Sequence, residues 1–221
     1  MKLLIEALMK FICGLLLVGL LIFLPAGTLY YTYGWLLIIL LFVPMLIAGF
    51  VMLAKSPDFL KKRLDAKEKQ GTQKGVVAFS GLLFIAGFVV AGLDFRFGWS
   101  TMPTWVVIIA SVLFLVAYAL YAEVMRENAY LSRTVKVEEG QTVVDTGMYG
   151  IIRHPMYAVT ILLFLMIPLV LGSWYALIAF AFYPAVIVVR LKDEEDLLTR
   201  ELPGYAEYKE KVKYRIIPFV W

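Results

Sequence analysis

Apolar runs long enough to cross a bilayer recur along the chain, with short polar connections between them. Residues 3–24 and 34–54 each approach the roughly 20 apolar positions that a spanning helix needs. An uncharged turn, Pro25-Ala-Gly-Thr-Leu-Tyr-Tyr-Thr-Tyr33, joins them. Residues 76–93 and 103–122 form the third and fourth runs, around Asp94-Phe-Arg-Phe-Gly-Trp-Ser100. Residues 156–171 and 174–189 are each shorter than a comfortable span and only Gly172-Ser173 separates them, which predicts a tight helical hairpin. The pattern therefore predicts an all-α integral membrane protein. It has five to six transmembrane helices in a single domain, residues 1–221, with an amphipathic tail after the hairpin.

Composition excludes the alternatives. Hydrophobic residues make up 62% of the 221 and charged residues 17%, against roughly 45–50% and about 25% in soluble domains. A soluble fold of this size has too much surface to hide that share. Cys13 is the only cysteine, so no disulfide scaffold exists. The formal charge of +4 is too small for a nucleic-acid footprint.

The placement of charge orients the chain. Residues 55–75 hold Lys55, Lys61, Lys62, Arg63, Lys67, Lys69 and Lys74 against Asp58, Asp65 and Glu68, and the fourth connection holds Arg126, Arg133, Lys136 and Arg153. The turns at 25–33 and 171–174 carry no charge. The positive-inside rule places both termini and both long loops in the cytoplasm. Tyr30, Tyr31, Tyr33 and Trp35 read as an interfacial aromatic belt. Ser56-Pro57-Asp58 starts a basic helix over 57–70, with Ser56 as its N-cap. That helix is suited to anionic headgroups, and equally to fixing topology from solution. Glu6 and Lys10 stand at the spacing of a helical ion pair.

Polar groups concentrate in residues 123–157 and 190–218, on either side of the hairpin. A hairpin returns the chain to the side it left, so these stretches meet at the cytoplasmic surface. Gly140, Gly147 and Gly150 permit turns or close approach to a ligand. Arg153-His154-Pro155 sets a cation and the only histidine at a helix entrance, where unpaired N–H groups suit an anion. The same spacing serves a plain entry turn, with Arg153 snorkelling to headgroups and His154 satisfied by backbone. Arg190 and Glu194 share one helix face within a run of four acids, Asp193 to Asp196. Leu197, Leu198, Leu202, Tyr205 and Tyr208 form one apolar side of a tail able to fold over a pocket, and Tyr214, Ile216, Ile217 and Phe219 anchor its end.

The ordered set Gly147-x-Tyr149-x-x-x-Arg153-His154-Pro155-x-Tyr157, Arg190-x-x-x-Glu194-Glu195-x-x-Leu198, Gly204-Tyr205-x-x-Tyr208 and Arg215-x-Ile-Pro218 resembles the isoprenylcysteine carboxyl methyltransferase family. Phospholipid N-methyltransferases are related to that family. The resemblance covers roughly residues 101–221, a methyltransferase-like core, and residues 1–100 carry no motif. It implies an S-adenosylmethionine site at the cytoplasmic helix ends. Cofactor contacts would fall on Gln141, Thr142, Val143, Val144, Tyr149, His154, Pro155, Met156, Tyr157 and Glu194. Arg190 would face the methyl acceptor, so that Arg190 and Glu194 are the catalytic candidates. Gln141 stands where relatives often have His, and Val159 where they have Gly.

The chemistry of these side chains suits such a cofactor. His154 and the helix start match its carboxylate, Glu194 or Glu195 its ammonium or ribose hydroxyls, and Tyr149 and Tyr157 its adenine or sulfonium. A carboxylate acceptor is already ionised at neutral pH and needs no base, whereas an amine would need one, for which Glu194 is the candidate. The expected partner is a lipid-like acceptor entering from the bilayer, besides membrane lipids. No metal, nucleic acid or protein partner is expected. Two other activities remain in view: phospholipid or amine N-methylation, and an NADPH-dependent sterol-type reductase, which shares an Arg-His-Pro-x-Tyr segment.

Overall fold

A computed structural model describes residues 2–65, 71–132 and 134–221, with Gly71 and Thr72 described by backbone alone. Its helices are α1 (Lys2–Ala26), α2 (Thr32–Lys55), α3 (Pro57–Leu64), α4 (Gly71–Phe97), α5 (Thr104–Glu127), α6 (Pro155–Val170), α7 (Trp174–Phe180), α8 (Tyr183–Glu201) and α9 (Tyr205–Lys211), with a 3-10 turn at Gly147–Gly150. No strand occurs among the described residues, and the protein is an all-α integral membrane protein. The basic helix expected over 57–70 is seen as α3. Lys67, Glu68, Lys69 and Arg133 lie outside the described residues.

Five stretches are long and apolar enough to cross a bilayer: α1, α2, Gln73–Phe97 of α4, α5, and Trp174–Glu201. α6 has 16 residues, about 24 Å at 1.5 Å per residue, short of the roughly 30 Å hydrocarbon core. The hairpin thus pairs one short helix with one long broken one. The break between α7 and α8 follows from Pro184. Its ring lacks an N–H and clashes with the carbonyl four residues back, which belongs to Phe180, the last residue of α7. Beyond the break, α8 runs without interruption into the charged stretch, so one rod carries both membrane-facing residues and Arg190, Glu194 and Glu195.

The main packing partners are α1 with α4, α4 with α7, and α5 with α6. A Cβ on Gly92 would lie 2.5 Å from the Ile22 carbonyl oxygen and 3.0 Å from the Ala26 nitrogen, so only glycine lets α4 approach the α1 backbone this closely. Phe114, Ile167, Leu37 and Phe180 fill the interior, while Leu16, Leu20 and Leu24 stay exposed on α1 as surface for lipid.

Two sequence expectations change and a third holds. Tyr31 does not join an interfacial belt: it is 1% exposed, stacks on Phe95 at 4.2 Å, and donates its hydroxyl hydrogen to the Leu171 carbonyl. Tyr30 and Trp35 are exposed and Tyr33 is half-buried. Ser56 occupies the N-cap position of α3 but its side chain makes no capping bond. Glu6 and Lys10 do pair, at 2.6 Å, and Lys10 also reaches the Leu64 carbonyl at 2.8 Å.

Asp94, near the end of α4, is 2% exposed. Its carboxylate accepts from the Ser100 amide at 2.7 Å, from the Ser100 hydroxyl at 2.6 Å, and from the Ser173 hydroxyl. Ser173 in turn accepts from the Ala176 amide and caps α7. One carboxylate therefore ties α4 and its following loop to the hairpin turn. Asp94→Ala should cost about 1.5–3 kcal/mol by stranding these donors. The measurement is a lower Tm in detergent with ligand-binding properties unchanged; an unaltered Tm would contradict the role given to Asp94.

Candidate functional site

The polar stretches meet where α6 begins, beside the distal half of α8. The tail lies against this entrance: the Arg153 amide donates to the Tyr214 carbonyl and the His154 amide to the Arg215 carbonyl, both at 2.9 Å. Pro155 has no N–H, and the Tyr157 amide donates to the His154 carbonyl at 3.1 Å. The Arg153, His154 and Tyr157 amides are thus satisfied within the protein.

Below this contact sits a buried ionic cluster. Glu195, 2% exposed, accepts from Arg153 Nε at 2.7 Å and from Arg215 Nε at 2.8 Å, and His154 Nε2 lies 3.2 Å from the same carboxylate. Arg153 also donates to the Val212 carbonyl at 2.6 Å. Arg153 is thus neither snorkelling nor available to headgroups, and His154 is satisfied by a carboxylate rather than by backbone. Glu195 is enclosed by the protein's own cations, which removes it as an alternative to Glu194.

One residue earlier on α8, Glu194 is turned about 100° away from Glu195. Tyr157 donates its hydroxyl hydrogen to Glu194, and Arg190 Nε donates to the Tyr157 oxygen at 3.2 Å. The Tyr157 ring stacks on His154 at 5.6 Å between centroids, linking this relay to the buried cluster.

Tyr157, Arg190 and Glu194 line one cleft, together with Arg153 and His154. Ten of the residues singled out from the sequence surround it: Gln141, Thr142, Val143, Val144, Tyr149, His154, Met156, Tyr157, Arg190 and Glu194. Pro155 is not in the wall and is buried at the first turn of α6. The side-chain oxygen Oε1 of Gln141 accepts from the Glu138 backbone amide at 2.8 Å. Val159 is buried in the core of the bundle. Leu198, Leu202, Tyr205 and Tyr208 close the apolar side, though a turn at 202–204 divides them between α8 and α9. Ile216 is buried, whereas Ile217 and Phe219 are exposed rather than anchoring.

Gly147 shapes the near wall. Its φ is +53°, and a Cβ there would stand 1.6 Å from the Glu127 carboxylate, which accepts from the Met148 amide at 3.0 Å. Glycine satisfies both the left-handed backbone and the contact. The turn it permits delivers Tyr149, whose carbonyl accepts from the Tyr208 hydroxyl at 2.7 Å. Burial pushes the Tyr149, Tyr205 and Tyr208 phenols above the ordinary tyrosine range, so all three are neutral at physiological pH. The Tyr205 hydroxyl has no hydrogen-bond partner among the described residues.

Sequence reasoning missed a polar rim, Asn128, Tyr130, Ser132, Thr134 and Lys136, that lines the same cleft. The polar concentration over 123–157 was its only signal. It also missed Gln73, fully buried on α4, for which an isolated amide near a helix start offered no signal.

Residues 101–200 match the model of the isoprenylcysteine carboxyl methyltransferase (ICMT) family, which bears out the recognition made from the motifs. The chain is 32% identical over 96 residues, 43% of its length, to an uncharacterized protein, YpbQ, of Bacillus subtilis (strain 168). It is 31% identical over 91 residues, 40% of its length, to the Delta(14)-sterol reductase TM7SF2 of Mus musculus. The aligned segments span 57% and 22% of those relatives.

The two adjacent glutamates should respond oppositely to mutation. Glu195→Ala leaves the buried Arg153 guanidinium without its carboxylate and should cost about 3–5 kcal/mol, read as a large fall in Tm or loss of folded protein. Glu194→Gln keeps an acceptor for Tyr157 and should shift stability by less than about 0.5 kcal/mol. Equal losses would show that the phase of α8 differs from the one described.

Proposed function

We propose that this chain, whose residues 101–200 match the ICMT family model, is an S-adenosylmethionine-dependent membrane methyltransferase acting on a lipid-like acceptor, with a carboxylate such as that of isoprenylcysteine as the favoured class. The observation that carries this reading is the opposed pair Glu194 and Arg190, one helical turn apart on α8 and both in the wall of a single cleft.

The wall fits a zwitterionic nucleoside cofactor. Glu194 offers a carboxylate to an ammonium or ribose hydroxyl. Tyr149 and Tyr157 present aromatic faces beside apolar Val143, Leu198 and Leu202, and the unpartnered Tyr205 hydroxyl is a donor in reserve. S-adenosylmethionine, when bound, supplies an electrophilic methyl group on a sulfonium. Arg190 holds a carboxylate acceptor, which is ionised at neutral pH and so needs no base from the protein. Tyr205 and Tyr208 of α9 line one side of the cleft, and alignment of the two reactants provides the rate advantage. With an amine acceptor, Glu194 would take the proton, and that is the alternative methyltransferase reading.

The resemblance to the sterol reductase supports a second reading, reduction with NADPH. The cleft speaks against it. Arg153 is buried against Glu195 and Val212, Lys136 at the rim is paired with Glu138, and the acidic Glu194 faces a site that would need cations for the 2′-phosphate. Calorimetric titration with S-adenosylmethionine and with NADPH separates the two. Binding of NADPH alone would overturn the methyltransferase reading.

Two predictions follow from this assignment. Glu194→Gln should weaken S-adenosylmethionine binding by about 1.5–3 kcal/mol, and Arg190→Lys should lower turnover while leaving cofactor affinity nearly unchanged. Loss of cofactor binding in Arg190→Lys with turnover retained at saturation would reverse the two roles. We also propose that both termini and the cleft face the cytoplasm. In a Cys13→Ser background, Leu29→Cys and Tyr175→Cys should be labelled from outside intact cells, and Asp58→Cys and Glu139→Cys only after lysis. The inverse pattern would overturn the topology.

A further inference from the structure

The motif-free half of the chain sends one side chain into the relay beside the cleft. Gln73, on the first turns of α4, is fully buried. Its amide nitrogen donates to Asp193 Oδ2 at 2.9 Å, and its amide oxygen accepts from Arg190 Nη1 at 3.1 Å. The two neighbours make the orientation of this amide unambiguous: a carboxylate accepts only from the NH₂ end, and a guanidinium donates only to the carbonyl end. Asp193 therefore sets the amide, and the amide sets the guanidinium. From there Arg190 continues to Tyr157, and Tyr157 to Glu194.

We propose that Gln73 is a positioning residue for Arg190, fixing the plane and height of its guanidinium at the edge of the cleft. The assignment of Arg190 to the methyl acceptor rests on the function proposed above; the positioning of Arg190 by Gln73 does not. An aliphatic side chain at 73 would fill the same space but leave one guanidinium nitrogen without this acceptor. A glutamate would retain the acceptor and the length, and in an Asp193→Asn background the asparagine amide would donate to it, so the pair is kept with its ends exchanged. The chemistry thus distinguishes a residue that orients Arg190 from one that merely packs α4 against α8.

The direct test uses nitrogen-15 spectra of the arginine Nε–H groups of the full chain in detergent micelles, with the Arg190 signal identified by its absence in Arg190→Lys. In Gln73→Met, hydrogen exchange of that group should accelerate by roughly tenfold or more, since a side chain released from a buried acceptor opens more often. The Arg153 and Arg215 signals, held by Glu195, should not change. Gln73→Glu combined with Asp193→Asn should restore slow exchange. An unaltered Arg190 signal in Gln73→Met overturns the proposal, as does uniform acceleration of all three arginines, which would mean general loosening of the bundle.

A second arm measures methyl transfer from labelled S-adenosylmethionine to N-acetyl-S-farnesylcysteine and to extracted membrane lipids. Gln73→Met should lower kcat with cofactor affinity changed by less than about twofold, and should cause no further loss in an Arg190→Lys background, the signature of two residues acting as one unit. Losses that multiply in the double variant would count against the coupling. A wild-type protein that binds no S-adenosylmethionine and transfers no methyl group would remove the methyltransferase reading, and the exchange experiment would still decide the role of Gln73.

Discussion

A single buried carboxylate organises the functional end of this protein. Glu195 is almost fully enclosed and gathers Arg153, His154 and Arg215 around it. A carboxylate or a guanidinium buried alone would be several kcal/mol unfavourable, so the members of the cluster are mutually obligatory. They come from the start of α6, the distal part of α8 and the C-terminal segment. Locking these three pieces together also fixes the rotation of α8. With Glu195 turned inward, the adjacent Glu194 must point elsewhere, and the direction left to it is the cleft. Arg190, one turn earlier, shares that face.

α4 provides the second constraint, and it does so at both ends. Near one end Asp94 holds Ser100 and Ser173, which pins the turn of the hairpin. At the other end Gln73 holds Arg190 and Asp193 on α8. Apolar packing between helices tolerates some sliding, because a leucine surface looks much the same one residue along. Hydrogen bonds between buried polar groups do not, because a shifted partner leaves a donor or acceptor unsatisfied. Two such contacts, separated by most of the length of α4, index the hairpin against the N-terminal half of the protein.

The break at Pro184 and the shortness of α6 belong to the same design. A hairpin of two full spans would leave its arms symmetrical. Here one arm is a single short helix whose entrance is roofed by the tail, and the other continues past its break as a charged rod. The cleft forms between that rod, the 3-10 turn delivered by Gly147, and α9.

The sequence by itself determined the solvent of this fold and the elements within it, since apolar length and turn composition are local properties. Its spans end within a few residues of the observed helices, and only the proline-divided last segment departs from the simple reading. It also marked the stretches that meet at the cleft, because a hairpin returns the chain to where it started whatever its details. Tertiary structure decided what depends on rotation and partnership. Tyr31 has the composition of an interfacial aromatic and is a core residue, because Leu171 brings a carbonyl to its hydroxyl. Arg153 and His154 have the spacing of a ligand-facing entrance, yet both engage Glu195. Glu194 and Glu195 are indistinguishable by type, and about 100° of helical rotation gives one to the cleft and the other to the interior. Gln73 carries no signal at all in sequence, because its meaning lies in Arg190 and Asp193, which stand more than a hundred residues away and meet it only in the folded chain.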